Sequence, residues 1–390
     1  MVCIEMKTVR AWSFCFCSLI IVGVPTRAKE VEAELPGWEI EGTLTVDALW
    51  NLSGGLRQDE AILGNLDFTA FVDTETAGWW NDGSFFLYIL GNGNAGRLPT
   101  ELVGDVQGTS NIEADETIKV YEAWYAHLFM NGSLDLLLGL HDYNSEFDAL
   151  EHVGLFINSS FGMSPDISQV GPSIFPTTAM GLRAKVSVGE NGYGMAAVYD
   201  GVPGNPNNPQ GTHIRFDSGD GIFAAAEIGR VSGGEPGDAA YTKVAIGGWL
   251  HSADAEDVFG EPIGSNGGIY LIGERNLSER TAVFGQLGKT DGRRNPIAWY
   301  VGTGVTWSEL VPGRSGDVIG LAVGVAFNSD DFLNANPGLN RSETAIEFSW
   351  SAEITKHLSV QPNIQYILNP GQEPGLDNGL IAGFRTILSF

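Results

Sequence analysis

Cysteine is nearly absent. The 390-residue chain has 3, and Cys3, Cys15 and Cys17 all lie before Ser18. Beyond them there is no thiol for a disulfide, a covalent nucleophile or a metal site. Positive charge is also scarce, with 21 Lys and Arg against 48 Asp and Glu. That balance excludes nucleic acid as a partner, because binding to phosphates runs on positive charge. After Val24 no apolar run approaches the roughly 20 residues that a membrane-spanning helix needs. No Gly-x-Ser-x-Gly elbow and no His-Glu-x-x-His pair occurs, so two common catalytic arrangements are missing. His141 and Asp142 are only neighbours in sequence, and adjacent strand residues point to opposite faces.

The start of the chain has its own composition. Lys7 and Arg10 precede residues 11–24, which are apolar except for Ser13 and Ser18, and Pro25-Thr26-Arg27-Ala28 follow. A basic start, a short apolar core and a small residue at the cut describe a secretory signal over residues 1–28. Residues 29–38 are then a short charged lead-in, and 39–390 form one domain. Residues 1–28 hold three of the 21 basic residues and one of the 48 acidic ones. The remainder carries 18 and 47, a net charge of −29.

What is abundant is glycine (52) and aromatic side chains (10 Trp, 10 Tyr, 20 Phe), at a mean hydropathy of 0.00. This suits strands with one wet and one apolar face. Period-two segments recur from end to end. Residues 39–50 set Leu44, Val46, Ala48 and Trp50 against Thr43, Thr45 and Asp47. Residues 344–355 set Ile346, Phe348, Trp350, Ala352 and Ile354 against Glu347, Ser349, Ser351 and Glu353. Counting every such segment predicts about 16 strands, in the even-numbered range of bacterial outer-membrane barrels. His213 to Phe216 also alternates, but as a spanning strand it would break the order of the connections, so it is assigned to a loop.

Those connections alternate long and short. The long ones are 51–64, 91–119, 142–177, 201–220, 253–266, 291–296, 329–343 and 370–379. The short ones include 130–132, 189–192, 277–279 and 356–358, with Asn131-Gly132 and Asn191-Gly192 as hairpin signals. A soluble sandwich has no reason to gather its long loops at one end. The expected fold is all-β: a transmembrane, antiparallel, up-and-down barrel with short periplasmic turns and long extracellular loops. The closing stretch agrees. Phe390, Leu388, Thr386, Phe384, Ala382 and Leu380 share one face. A strand that closes a barrel in lipid leaves no open edge.

The chain resembles the carbohydrate-selective porin family of bacterial outer membranes. The likeness lies in Val198-Tyr199-Asp200-Gly201-Val202-Pro203-Gly204-Asn205-Pro206, in residues 211–221, in 343–350, in 358–370 with Gln361-Pro362 and Asn369-Pro370-Gly371, and in Leu376-Asp377-Asn378-Gly379. Residues 91–119 depart most from the family pattern. The resemblance implies a 16-stranded channel for passive diffusion of glucose-like sugars, with no enzymatic activity and no cofactor. A general porin for small hydrophilic solutes and an outer-membrane hydrolase remain as alternatives. The implied partners are carbohydrate solutes, outer-membrane lipid and lipopolysaccharide, and the barrel-assembly machinery, reached through the strand ending at Phe390. Homo-oligomerisation is left open.

In such a barrel the polar member of each alternating pair lines the lumen. The candidate basic residues are Arg183, Lys185, Arg215, Lys243 and Arg385. The candidate acidic ones are Asp67, Asp73, Glu122, Glu227, Glu347 and Glu353. Either they orient a hydroxyl-rich solute by many weak hydrogen bonds, or they pair inside the barrel and stabilise it. The loop at 142–177 is apolar for a loop. It is expected to fold inward, with Phe147, Phe156 and Phe161 at the constriction, either facing sugar rings or packed on the wall. Trp50, Trp124, Tyr199, Trp299, Trp307, Trp350 and Tyr366 are candidates for interface belts, although alternation leaves Trp124 and Trp249 unassigned. Asp217, Asp220, Asp330 and Asp331 fall in loops without the EF-hand spacing, so no metal is expected.

Overall fold

In a computed structural model, residues 36–390 are described. The signal assigned to 1–28 and most of the lead-in lie outside the described residues. The alternating segments form β1 (Trp38–Ser53), β2 (Glu60–Asp73), β3 (Gly83–Asn94), β4 (Thr117–Phe129), β5 (Leu134–His141), β6 (Ala179–Val188), β7 (Gly192–Asp200), β8 (Ile222–Ser232) and β9 (Thr242–His251). A two-residue pair, β10 (Ala255–Glu256) and β11 (Pro262–Ile263), makes a separate hairpin in a loop. Then come β12 (Asn266–Ser278), β13 (Thr281–Thr290), β14 (Ile297–Ser308), β15 (Val318–Asn328), β16 (Ser342–Thr355), β17 (Leu358–Leu368) and β18 (Gly379–Ser389). Setting aside β10 and β11, each strand pairs with the next, β9 pairs with β12, and β18 returns to β1, closing a sixteen-stranded barrel.

The seam shows why closure is complete. Thr43 lies opposite Ser389 and Asp47 opposite Arg385. Past the last paired strand residue, Gly42 and Phe390 exchange both backbone hydrogen bonds, each 2.9 Å. A Cβ on Gly42 would lie 2.3 Å from the Phe390 ring, so only glycine leaves that ring its seat. In hydrocarbon every unpaired peptide group costs several kcal/mol, so a closed ladder is the condition for a sheet to persist there.

Period-two patterning then sorts the faces. Leu44, Leu66, Phe68, Leu182, Ile246, Leu271, Leu321 and Ile364 are exposed on the outside, where they meet lipid. Trp50, Trp299 and Tyr366 are exposed with them. Trp124 and Tyr199 do not join that outer set. Trp124 donates to Glu122 and Tyr199 bonds to His141, both inside the barrel, and both rings are buried. Trp249 also points inward, with its ring 6.0 Å from that of Phe223.

Connection length is less regular than the sequence suggests. β1 and β2 run further than expected and leave only residues 54–59 between them, and 291–296 is equally short. At the opposite end, 74–82, 233–241 and 309–317 are longer. The loop end is still set apart by 95–116, 142–178 and 201–221. Residues 213–216 are irregular and lie in the last of these.

Candidate functional site

A backbone amide inside a barrel must find an acceptor, and few are free where the wall is already paired. Inward-pointing carboxylates supply them. Glu227 on β8 accepts the Asp148 N–H at 3.1 Å. Glu274 on β12 accepts those of Glu151 and His152 at 3.0 and 2.9 Å. Glu347 on β16 accepts those of Ile157 and Asn158 at 2.7 and 2.9 Å. Lys243 reaches the Ala149 carbonyl at 2.7 Å, and Gln361 reaches that of Leu155 at 2.5 Å. The 142–178 segment is therefore held to the inner wall by side chains acting as sheet partners. Bonds to an ionised acceptor are the stronger kind.

A second segment lies inside as well. Glu343 accepts the Val106 and Gln107 N–H groups from 95–116 and that of Gly371. Ser110 donates to Asp47 at 2.7 Å, and Arg385 donates to Asn111 at 2.7 Å. The two segments touch each other through Ser159 N–H to Gly108 O and Asn111 N–H to Ile157 O, both 2.8 Å. The sequence reading singled out neither Glu274 nor Glu343. Glu274 shares the inner face with Tyr270 and Ile272, a parity visible in the sequence. Glu343 was placed at the end of a loop but is the second residue of β16.

The three phenylalanines pack onto the wall. Phe147 stacks on Tyr143 at 5.0 Å and 9°. Phe156 and Phe161 meet each other at 5.2 Å and Phe284 of β13 at 5.7 and 6.4 Å. Phe147, Phe156 and Phe161 are 0, 1 and 0% exposed, so none shows a face to a passing solute. The wall makes room with small residues: Gly320, Ala322, Gly324 and Ala326 line the inner face of β15. A Cβ on Gly320 would stand 2.5 Å from Leu155 and 2.8 Å from Phe156.

What stays open is one side of the bore. On β7, β8, β9, β13 and β17 most inner-face side chains are buried, among them Met195, Ala225, Ala245, Phe284 and Gln365. On β2, β3, β5 and β6, Asp67, Tyr88, Asn94, Asp135 and Lys185 are half-exposed. A polar ladder climbs this side. Tyr88 and Asn65 both donate to Asp67, Asn92 donates to Asn65 at 2.7 Å, and Tyr121 donates to Asp142. Beside it Arg183 is paired with Asp135 at 2.9 Å and Glu146 at 2.6 Å, and Lys185 with Glu146 at 3.2 Å. Burial alone would raise the Glu146 carboxyl, but these two cations outweigh it and hold it at about 2.

The candidate residues thus divide. Asp67 and Lys185 border the open side. Arg183, Lys243, Glu122, Glu227, Glu347 and Arg385 are on the inner face but buried, bonded to the wall or to the infolded segments. Asp73 accepts the Thr76 N–H at 2.7 Å in a turn, and the Glu353 N–H and C=O bond to Asp317 and Arg314 at the turn end. Arg215 is a correction. It lies exposed in the 201–221 loop, paired with Asp217, because that loop leaves the wall and bonds by Gly211 and Thr212 to Thr117 and Val120 of β4. Among the described residues no cluster of His, Cys, Asp and Glu is arranged to hold a metal ion.

A closed sixteen-stranded barrel with an apolar exterior, a polar interior and loops packed within the bore is the architecture of a bacterial outer-membrane porin. The particular family follows from sequence: the chain belongs to the OprB family of carbohydrate-selective porins, whose sequence profile matches residues 57–390. Porin B of Pseudomonas aeruginosa is 22% identical over 409 aligned positions, covering 92% of this chain and 88% of that one. The high-pH structure of OprB from Pseudomonas putida superposes with a TM-score of 0.79 at 20% identity, over 91% of this chain and 94% of that one. The channel DcaP of Acinetobacter baumannii gives a TM-score of 0.59 at 12% identity, over 90% and 97%. The protein is accordingly an outer-membrane channel and not an enzyme.

Proposed function

We propose that this barrel passes glucose-like sugars by passive diffusion, through a bore narrowed by the 95–116 and 142–178 segments. The observation that carries the reading is the uneven inner wall. Most of the far side is sealed by carboxylate-anchored loops, and a ladder of carboxylates, amides and tyrosine hydroxyls remains along β2 to β6. Selection in a pore follows from its width and from the groups that line it. Asp67, Asp135 and Lys185 are the charged members that meet the solute, and Arg183, Glu122 and Arg385 hold the lining in place. Liposome swelling with glucose, larger sugars and amino acids tests this. Faster entry of glucose than of an amino acid of equal size supports it, whereas equal rates leave a general porin. Deleting the tip of the 142–178 segment is expected to raise single-channel conductance, and unchanged conductance would count against the constriction.

A further inference from the structure

The seal between the 142–178 segment and the far wall contains one patch where oxygens meet no hydrogen-bond donor. Glycine makes the floor of it. Gly288 of β13 lies opposite Tyr300 of β14, and Gly302 of β14 lies opposite both Gln286 of β13 and Gly324 of β15. Without side chains at these glycines, polar groups close in on the strands. A Cβ on Gly288 would collide with both carboxylate oxygens of Asp166, in the short helical turn Pro165–Ser168. One on Gly302 would stand 2.7 Å from Gln286 Oε1 and 2.8 Å from the Tyr300 hydroxyl. One on Gly324 would stand 2.8 Å from the same hydroxyl and 3.0 Å from Gln107 Oε1.

Both Asp166 oxygens, Gln286 Oε1, Gln107 Oε1 and the Tyr300 hydroxyl have no hydrogen-bond partner among the described residues. Asp166, Tyr300, Gln107 and Gln286 are 0, 0, 2 and 4% exposed. The two amides cannot turn round, because their nitrogens are engaged, Gln286 with the Phe161 carbonyl and Gln107 with Glu343. Asp148 lies nearby. It accepts from Ser164 at 2.7 Å through one oxygen, and its other oxygen is also unpartnered. The basic side chains of this region are spent elsewhere, Arg183 and Lys185 on Glu146, and Lys243 on the Ala149 carbonyl.

An ionised carboxylate buried without a counter-charge is far costlier than a buried neutral group. A water molecule has two hydrogens to give, fewer than the acceptors gathered here, and it brings no charge. Carboxylate, amide and hydroxyl oxygens together are the ligand type of a hard cation, and Ca²⁺ tolerates irregular sets of them. Its double charge matches the two aspartates. We infer that Ca²⁺ binds between Asp166 and the β13–β15 wall, with Gln286, Gln107 and Tyr300 as neutral oxygen ligands and Asp148 as the second counter-charge. One ion would then tie both infolded segments to the barrel, because Gln107 comes from 95–116 and Asp166 from 142–178. Mg²⁺ is a poor substitute, since it demands near-ideal octahedral geometry and gives up water reluctantly. Where no Ca²⁺ is supplied, a proton is the only counter-charge left to Asp166.

The test is amide hydrogen exchange on the whole barrel in lipid vesicles, read at Ile167, Ser168 and Gln169, whose N–H groups bond back to Ser164 and Pro165. Ca²⁺ is compared with Mg²⁺ at equal concentration and with chelator, at mildly alkaline pH. Ca²⁺ is expected to slow exchange at these amides several-fold, with Mg²⁺ and chelator alike. Asp166→Asn should abolish the effect. Tyr300→Phe, which keeps the ring and removes one oxygen, should raise the Ca²⁺ concentration needed several-fold. Asp217→Asn with Asp220→Asn, in an exposed acidic loop, should leave the effect intact. Equal exchange in Ca²⁺ and Mg²⁺ for the wild type overturns the inference and leaves water on these oxygens. A Ca²⁺ effect that survives Asp166→Asn overturns it as well, by placing the ion elsewhere. If Asp166→Asn fails to assemble, Tyr300→Phe decides, and an unchanged Ca²⁺ requirement in that variant counts against the site.

Discussion

Arg385 and Asp47 lie directly opposite one another across the seam that joins the last strand to the first, with Nε to Oδ1 at 2.7 Å and Nη2 to Oδ2 at 2.8 Å. Both are buried on the inner face, and the guanidinium also donates to Asn111 of the infolded 95–116 segment. One ion pair thus marks the register of closure and anchors a loop.

Breaking one half of that pair leaves a buried charge without a counter-charge, which costs about 3–5 kcal/mol. Asp47→Asn is expected to lower the denaturant midpoint of the folded barrel by a corresponding amount. Asp47→Leu combined with Arg385→Met removes both charges and is expected to recover part of the loss. Reversible unfolding in lipid vesicles measures both variants. A single variant as stable as wild type would show that the pair contributes nothing at the seam.

The glutamate anchors make a separate expectation about the loop. Glu274 and Glu347 each accept two backbone N–H groups, and hydrogen bonds to a charged group are worth about 1.5–3 kcal/mol each. Glutamine offers one acceptor oxygen and turns an NH2 toward the other amide. Glu274→Gln with Glu347→Gln should loosen the 142–178 segment without opening the barrel. The expected record is higher mean conductance with added open-channel noise, and an unchanged unfolding midpoint for the strands. A quiet channel of wild-type conductance would mean that packing alone holds the segment.

Strand positions were legible because a two-sided sheet imposes period two on its sequence. The same rule placed Asp67, Arg183, Lys185, Glu227, Glu347 and Arg385 on the inner face. What those side chains do was not legible, since Glu347 meets backbone amides of Ile157 and Asn158, nearly two hundred positions away. The inward fold of 95–116 escaped notice for a related reason. Gln107, Gly108, Thr109 and Ser110 carry no apolar signal, and they dock largely through backbone groups. Arg215 lies outside the period-two rule: its segment reads as a loop already in the sequence, where wall parity says nothing of direction, and there it is exposed and paired with Asp217.

The small-residue track on β15 gives a steric test of loop docking. Gly320 faces Leu155 and Phe156 so closely that any side chain there competes with them for space. Overpacking a filled site costs about 1–3 kcal/mol. Gly320→Val should displace residues 153–157 inward or out of the bore. Amide hydrogen exchange at Leu155 to Asn158 is expected to rise while exchange in β14 to β16 stays at its wild-type level. Faster exchange in the strands themselves would instead assign Gly320 to the sheet.

Two carboxyls of the infolded segment give the docking a pH dependence. Burial raises the Asp148 carboxyl to about 8, with a bond from Ser164 opposing the rise and nearby Asp166 and Glu227 adding to it. Burial likewise raises Asp166 to about 7. In an undocked loop both would return toward the ordinary value of 3.8. The docked form therefore holds more protons between these limits. The contribution of these two groups to docking is full below about pH 4, shrinks as the pH climbs, and levels off above about 8. Glu227 faces Asp148 from β8, and Arg183 and Lys185 are already committed to Glu146. Single-channel conductance in planar bilayers should thus rise between pH 4 and 8 and then stay level. Asp148→Asn with Asp166→Asn should flatten the profile. A wild-type conductance constant across that range would separate loop docking from the protonation of these two groups.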